Sequence, residues 1–158
     1  MKAASTRLGL ARPAGFSLVC LAAACLLFTT CFGAARAEGL TVSDAWTAAS
    51  DEVGRDIPLL LTLHNETGTP DALMRVRCPI ANFSEKHTVD RGEGAPAMRS
   101  VASIPVAAGS TLILKPNEYH VMLLQTRQRL IAGERFTCTL AFQKAGTIET
   151  EVEIRKSP

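Results

Sequence analysis

From residue 40 to residue 155 the apolar residues fall at every second position in short runs, and turn-forming clusters cut those runs apart. Phe136, Cys138, Leu140 and Phe142 share one parity, and so do Ile148, Val152 and Ile154. A period of two marks a half-buried strand, because successive side chains point to opposite faces of a sheet. Breaks fall at 65–70, 92–96, 108–110, 115–118, 132–134 and 144–146, each carrying Gly, Pro or Asn. Glycine supplies the positive φ that tight turns need, and proline presets φ and ends a ladder. The pattern predicts strands over 40–46, 57–64, 73–79, 83–89, 97–101, 111–114, 119–124, 135–142 and 147–155, in an all-β sandwich or barrel. Leu59-Leu60-Leu61 and Met122-Leu123-Leu124 read as central strands buried on both faces. Trp46 and Met74 read as core, and His64 as a solvated strand end. No segment carries the repeat of a long amphipathic helix.

The chain opens differently. Lys2, Arg7 and Arg12 precede an uncharged apolar run over 16–32, and Ala35-Arg36-Ala37 follows. A basic start, an apolar middle and a small-x-small end make a secretory signal peptide. The expected organisation is therefore a cleaved leader over 1–37 and one domain over 38–158. An uncleaved anchor is the alternative, although the run is short for a span. A lipoprotein is a lesser one. Cys25 and Cys31 follow Ala22-Ala23-Ala24 and Phe28-Thr29-Thr30, neither with Leu three places before the Cys.

Removing the leader changes the charge. The whole chain has 17 basic and 15 acidic residues; the leader takes four of the basic and none of the acidic, leaving 13 against 15, a formal charge of −2. Mixed charges with a slight acidic excess give no footprint for nucleic acid. Export also bears on the cysteines. Three of the five lie in the leader, leaving Cys78 and Cys138. In an oxidising compartment the two are expected to pair, the alternative being two buried thiols. There is no C-x-x-C of the thioredoxin type.

Four of the six His and Met beyond the leader fall into one arrangement. His87 is followed by ten residues and Met98, then by 21 residues and His120, with Met122 two places further on. In a strand His120 and Met122 share a face, with Val121 turned inward between them. A hairpin turning at Gly92-Glu93 would set His87 directly opposite Met98, again on one face. Taken singly, each residue has a bland explanation: a surface His, or a core Met in a Leu-rich strand. Taken together they place two imidazoles and two thioethers where they can meet. Thioether is a soft ligand that favours Cu(I). Zinc would want thiolate or carboxylate, and calcium a set of oxygens. A blue-copper site needs a Cys thiolate, and no Cys lies in the motif.

The spacing H-x10-M-x21-H-x-M, Asp44-Ala45-Trp46 and the stretch Lys115-Pro116-x-x-Tyr119-His120-x-Met122-Leu123 resemble the periplasmic copper chaperone family PCu(A)C, also called DUF461. The resemblance covers nearly the whole chain beyond the leader. It implies a cupredoxin-like β-sandwich with Greek-key-type antiparallel strands, holding Cu(I) at His87, Met98, His120 and Met122. It also implies a periplasmic carrier that supplies copper to the CuA subunit of cytochrome c oxidase alongside Sco-type copper proteins. Thr88 stands where many members have an additional Met, so that thioether is absent while the four-ligand set survives. The end of the chain, Ile154 to Pro158, is not a His/Met-rich tail, which speaks against a second copper site of the kind some members carry.

A copper carrier, expected as a monomer with no membrane span once the leader is gone, is thus the leading expectation. An exported structural or interaction module, or a copper storage or resistance protein, is the alternative. An enzyme has little support: no G-x-S-x-G and no carboxylate pair in a cleft-like context is present.

Overall fold

The computed structural model describes residues 39–92 and 95–156; the expected leader over 1–37 lies outside them. Ten strands run in order: β1 (Leu40–Ala48), β2 (Ile57–Asn65), β3 (Asp71–Arg77), β4 (Ala81–Asp90), β5 (Ala97–Ser100), β6 (Ile104–Val106), β7 (Ser110–Leu114), β8 (His120–Thr126), β9 (Arg135–Phe142) and β10 (Thr147–Arg155). Among the described residues there is no helix, and hence none long and apolar enough to cross a membrane.

The strands pair along one path, β5-β4-β8-β2-β1-β10-β9-β3-β6. The path bends back on itself, so that β3 meets β4. β2 shares its second edge between two partners: Ile57–Leu59 pair with β8, and Leu61–Asn65 pair with β7. The pairing of β1 with β10 is parallel, and every other strand pairing is antiparallel. The result is the expected all-β sandwich, with one parallel seam.

The inward parity of each strand builds the core. Leu59, Leu61 and Leu63 of β2 meet Val121 and Leu123 of β8, and across the sandwich Cys138 and Leu140 of β9 and Val152 and Ile154 of β10. Burying one such aliphatic side chain contributes about 1.5–3 kcal/mol. The leucine triplets differ from expectation. Leu60, Met122 and Leu124 are only half-buried, so these strands cover the core with one face each. Trp46 is also half-buried, with the Arg155 guanidinium 5.3 Å from its ring centre. Arg155 also pairs with Asp44 at 2.8 Å. Asp44 sits at φ 47° in a bulge of β1, and the Asp44-Ala45-Trp46 segment thereby clamps β1 to β10. Met74 lies at another bulge, between Leu73 and Arg75, which turns its side chain out to 43% exposure rather than into the core.

Two polar anchors hold the far end. Buried Asn65 donates from Nδ2 to the carbonyls of Thr69 and Ala107, while its Oδ1 accepts from Thr67. Asp71 accepts from the backbone N–H groups of Ala72, Lys144 and Ala145. Burial pushes the Asp71 carboxyl up, but the three N–H donors and the Lys144 charge outweigh it and hold it below the usual value. Cys78 continues the β3–β9 register opposite Cys138, and the two are joined as a disulfide across 60 residues of sequence.

Candidate metal centre

The site is built on the outer face of the β5-β4-β8 edge. On β8, Val121 and Leu123 are fully buried, so their neighbours His120 and Met122 point the other way. On β4, His87 pairs with His120, and Glu85 pairs with Met122. Paired residues share a face, and the two imidazoles lie with ring centres 5.6 Å apart at an interplanar angle of 85°.

The hairpin register differs from the sequence expectation. His87 pairs with Ser100, and Met98 pairs with Val89. The last pair before the connection is Asp90 with Ala97, so the chain closes over six residues rather than turning at Gly92-Glu93. Asp90 explains the longer closure. Its Oδ1 accepts from the Gly92 N–H at 2.9 Å and its Oδ2 pairs with Arg99 at 2.8 Å, which starts the turn after residue 90. The slip is two residues, and an even slip preserves the face. Met98 therefore reaches His87 diagonally, with Sδ 3.0 Å from Nδ1.

The loop between β7 and β8 positions His120. The Lys115 N–H donates to the Tyr119 carbonyl, and Asn117 takes φ 69° at the loop's apex. Arg91 donates to the Asn117 carbonyl at 2.8 Å, tying the end of β4 to this loop. The Glu118 carbonyl faces His120 Nδ1 at 2.9 Å. A carbonyl only accepts, so Nδ1 carries the proton and Nε2 keeps its lone pair. His120 is 2% exposed, whereas Met98 is 57% exposed.

The structure thus brings His87, Met98 and His120 together and sets Met122 on the same strand and face as His120. Among the described residues no three or more His, Cys, Asp or Glu side chains gather as a metal-holding group. His64 lies elsewhere, with its two ring nitrogens on the hydroxyls of Ser43 and Thr111. One participant escaped the sequence reading. Glu85 faces His87 Nε2 at 3.1 Å. Its signal was present: an acid two residues before His87 in a strand shares its face.

The fold defines a class, the PCuAC-type β-sandwich. The copper-bound PCuAC domain from PmoF2 superposes with a TM-score of 0.64 at 19% identity, covering 75% of this chain and 94% of that one. The apo PCuAC domain from PmoF1 gives 0.64 at 23%, covering 75% and 95%. The Cu(I) form of DR1885 from Deinococcus radiodurans gives 0.61 at 24%, covering 76% and 82%. Residues 40–154 match the family described as "Putative lipoprotein LpqE-like", and the chain belongs to this LpqE-like family. A curated relative, "Putative lipoprotein Lxx21020" of Leifsonia xyli subsp. xyli (strain CTCB07), is 29% identical over 122 residues, 76% of this chain and 72% of its own length.

Proposed function

We propose that this chain is an exported carrier of one Cu(I) ion, held by His87, Met98, His120 and Met122, and that it hands the ion to an acceptor protein. The observation that carries the reading is the 3.0 Å approach of Met98 Sδ to His87 Nδ1 beside the buried His120 ring. Two imidazole nitrogens and two thioethers suit a soft monovalent cation. All four donors are neutral, so the ion keeps its charge. In an oxidising space a thioether cannot be lost to a disulfide as a thiolate pair can. The relatives with this fold include copper-bound domains, in keeping with copper as cargo.

The asymmetry of exposure suits a carrier. His120 and the loop behind it form a fixed floor, and Met98 is the ligand an incoming acceptor group meets. The most specific form of the reading is delivery to the CuA site of cytochrome c oxidase, with Sco-type proteins as co-workers. It takes residues 1–37 as a leader that directs export to the periplasm, 38–158 as the working domain, and Cys78–Cys138 as a disulfide formed there. The lipoprotein label of the relatives agrees with export. The reading takes binding and transfer, not catalysis, as the chemistry of the site.

The test is copper-edge X-ray absorption with titration on the domain over 38–158. Two nitrogen and two sulfur neighbours at one Cu(I) per chain are expected, with binding lost in the His120→Ala/Met122→Ala double variant. Unchanged stoichiometry in that variant refutes the assignment.

A further inference from the structure

We propose that Glu85 is a positioning residue of this centre: its hydrogen bond to His87 Nε2 fixes the imidazole tautomer and turns Nδ1 toward Met98 as the donor atom. The inference rests on the copper reading only for its effect on affinity; the tautomer belongs to the protein alone.

Three observations converge. Glu85 Oε2 lies 3.1 Å from His87 Nε2, while Nδ1 on the other side of the same ring lies 3.0 Å from Met98 Sδ. Both neighbours only accept, so a neutral ring can donate to just one of them; the carboxylate is the stronger acceptor, which places the proton on Nε2 and leaves the Nδ1 lone pair facing Sδ. Next, the Glu85 side chain is 48% exposed, but that of His87 is only 12% exposed, so the bond is anchored on a ring with little freedom to swing. Finally, the surroundings of Glu85 hold cationic side chains. It lines a cleft of about 490 Å³ with Arg75, Arg77 and Arg127. Among the described residues its ion-pair contact is nevertheless with His87.

The two histidines are held in opposite tautomers by different devices. His120 gives its Nδ1 proton to the Glu118 carbonyl and presents Nε2. His87 gives its Nε2 proton to Glu85 and presents Nδ1. A carboxylate behind a ligating imidazole also raises the basicity of the donor nitrogen. Glu85 places its oxygen on the far side of the ring from Met98, which makes it a support for the ligand and not a ligand itself.

The experiment is two-bond ¹H–¹⁵N NMR on the copper-free domain at about pH 8, above the ordinary imidazole range, paired with Cu(I) affinity by chelator competition. Wild type is expected to show His87 protonated at Nε2 and His120 protonated at Nδ1. Glu85→Ala is expected to mix the His87 tautomers and weaken Cu(I) binding about 10–100-fold. Glu85→Gln, whose amide oxygen still accepts, is expected to restore both. A wild-type His87 protonated at Nδ1 overturns the proposal, as does a Glu85→Ala variant unchanged in tautomer and affinity. Equal affinity loss in both variants, with the tautomer intact in Glu85→Gln, also overturns it, because charge and not orientation would then be the cause. Should copper not bind at this face at all, the copper-free spectra still decide the tautomer question.

Discussion

Replacing Met98 by Ala separates a copper ligand from a packing residue more sharply than any other change in this chain. Met98 is 57% exposed and its strand β5 is exposed throughout, so truncation removes little buried area. Without metal, the variant should match wild-type stability within about 0.5 kcal/mol. With metal, the expectation is large. Losing an outer partner of a ligand costs about 10–100-fold in affinity, and losing the ligand itself should cost no less than the upper end. Free Cu(I) buffered at about 100 times the wild-type Kd stabilises the wild type by about 2.7 kcal/mol. At the same free Cu(I), a variant about 100-fold weaker gains only about 0.4 kcal/mol. At about 4 °C per kcal/mol for a domain of this size, the copper-dependent rise in Tm falls from about 11 °C to about 2 °C. Thermal unfolding in a Cu(I)-chelator buffer reads both numbers in one series. A variant that keeps the full copper-dependent rise would refute the reasoning, since Met98 would then have no part in holding the ion.

Other expectations concern the scaffold. Asp71→Asn should destabilise the domain at neutral pH by about 1–3 kcal/mol, measured by urea unfolding, because one of three backbone donors then faces an amide N–H. The Asp71 carboxyl is held below its usual value, so its stabilisation is complete above the ordinary carboxylate range. That part should be lost as pH falls through the lower folded value, and Asp71→Asn should lack it. Thr150→Val should raise stability by about 0.5–1.5 kcal/mol in the same assay, because the buried Thr150 hydroxyl has no hydrogen-bond partner among the described residues. A loss there would mean that the hydroxyl is satisfied in solution. Cys78→Ala/Cys138→Ala should cost up to about 4 kcal/mol, the loop-closure limit for a 60-residue separation, while leaving Cu(I) stoichiometry at one.

What the sequence disclosed follows from parity. Side chains alternate strictly along a strand, so the common face of His120 and Met122, and the inward aim of Val121, were readable from position alone. The bounds of β9 and β10 were equally plain, because Phe136, Cys138, Leu140 and Phe142 share one parity and so do Ile148, Val152 and Ile154. Register is a different kind of information. A slip of two residues changes no side chain's face, so nothing in the hydrophobic pattern opposes it. The closure after Asp90, made by a side-chain contact to Gly92 and an ion pair to Arg99, decided the matter. Bulges defeat parity altogether, which is why Met74 and Trp46 read as core and proved otherwise. β6, with three residues, is too short to display a period.

The same distinction bears on how the site is made. Face is set by alternation and survives even slips, so a His/Met face on adjacent strands is a durable feature of such a sheet. The aim of each ring is set by single hydrogen bonds that alternation cannot supply. For His120 the partner is a main-chain carbonyl in a loop held by the Lys115–Tyr119 bond, and side-chain substitution leaves that acceptor in place. For His87 the partner is the Glu85 side chain, on a strand with an exposed neighbour. The buried half of the centre is thus fixed by backbone and the open half by side chains. On the proposed reading, substitutions at Glu85 and Met98 should therefore change Cu(I) affinity while the fold stays intact. Substitution of His120, 2% exposed between β4 and the loop, should disturb binding and packing together.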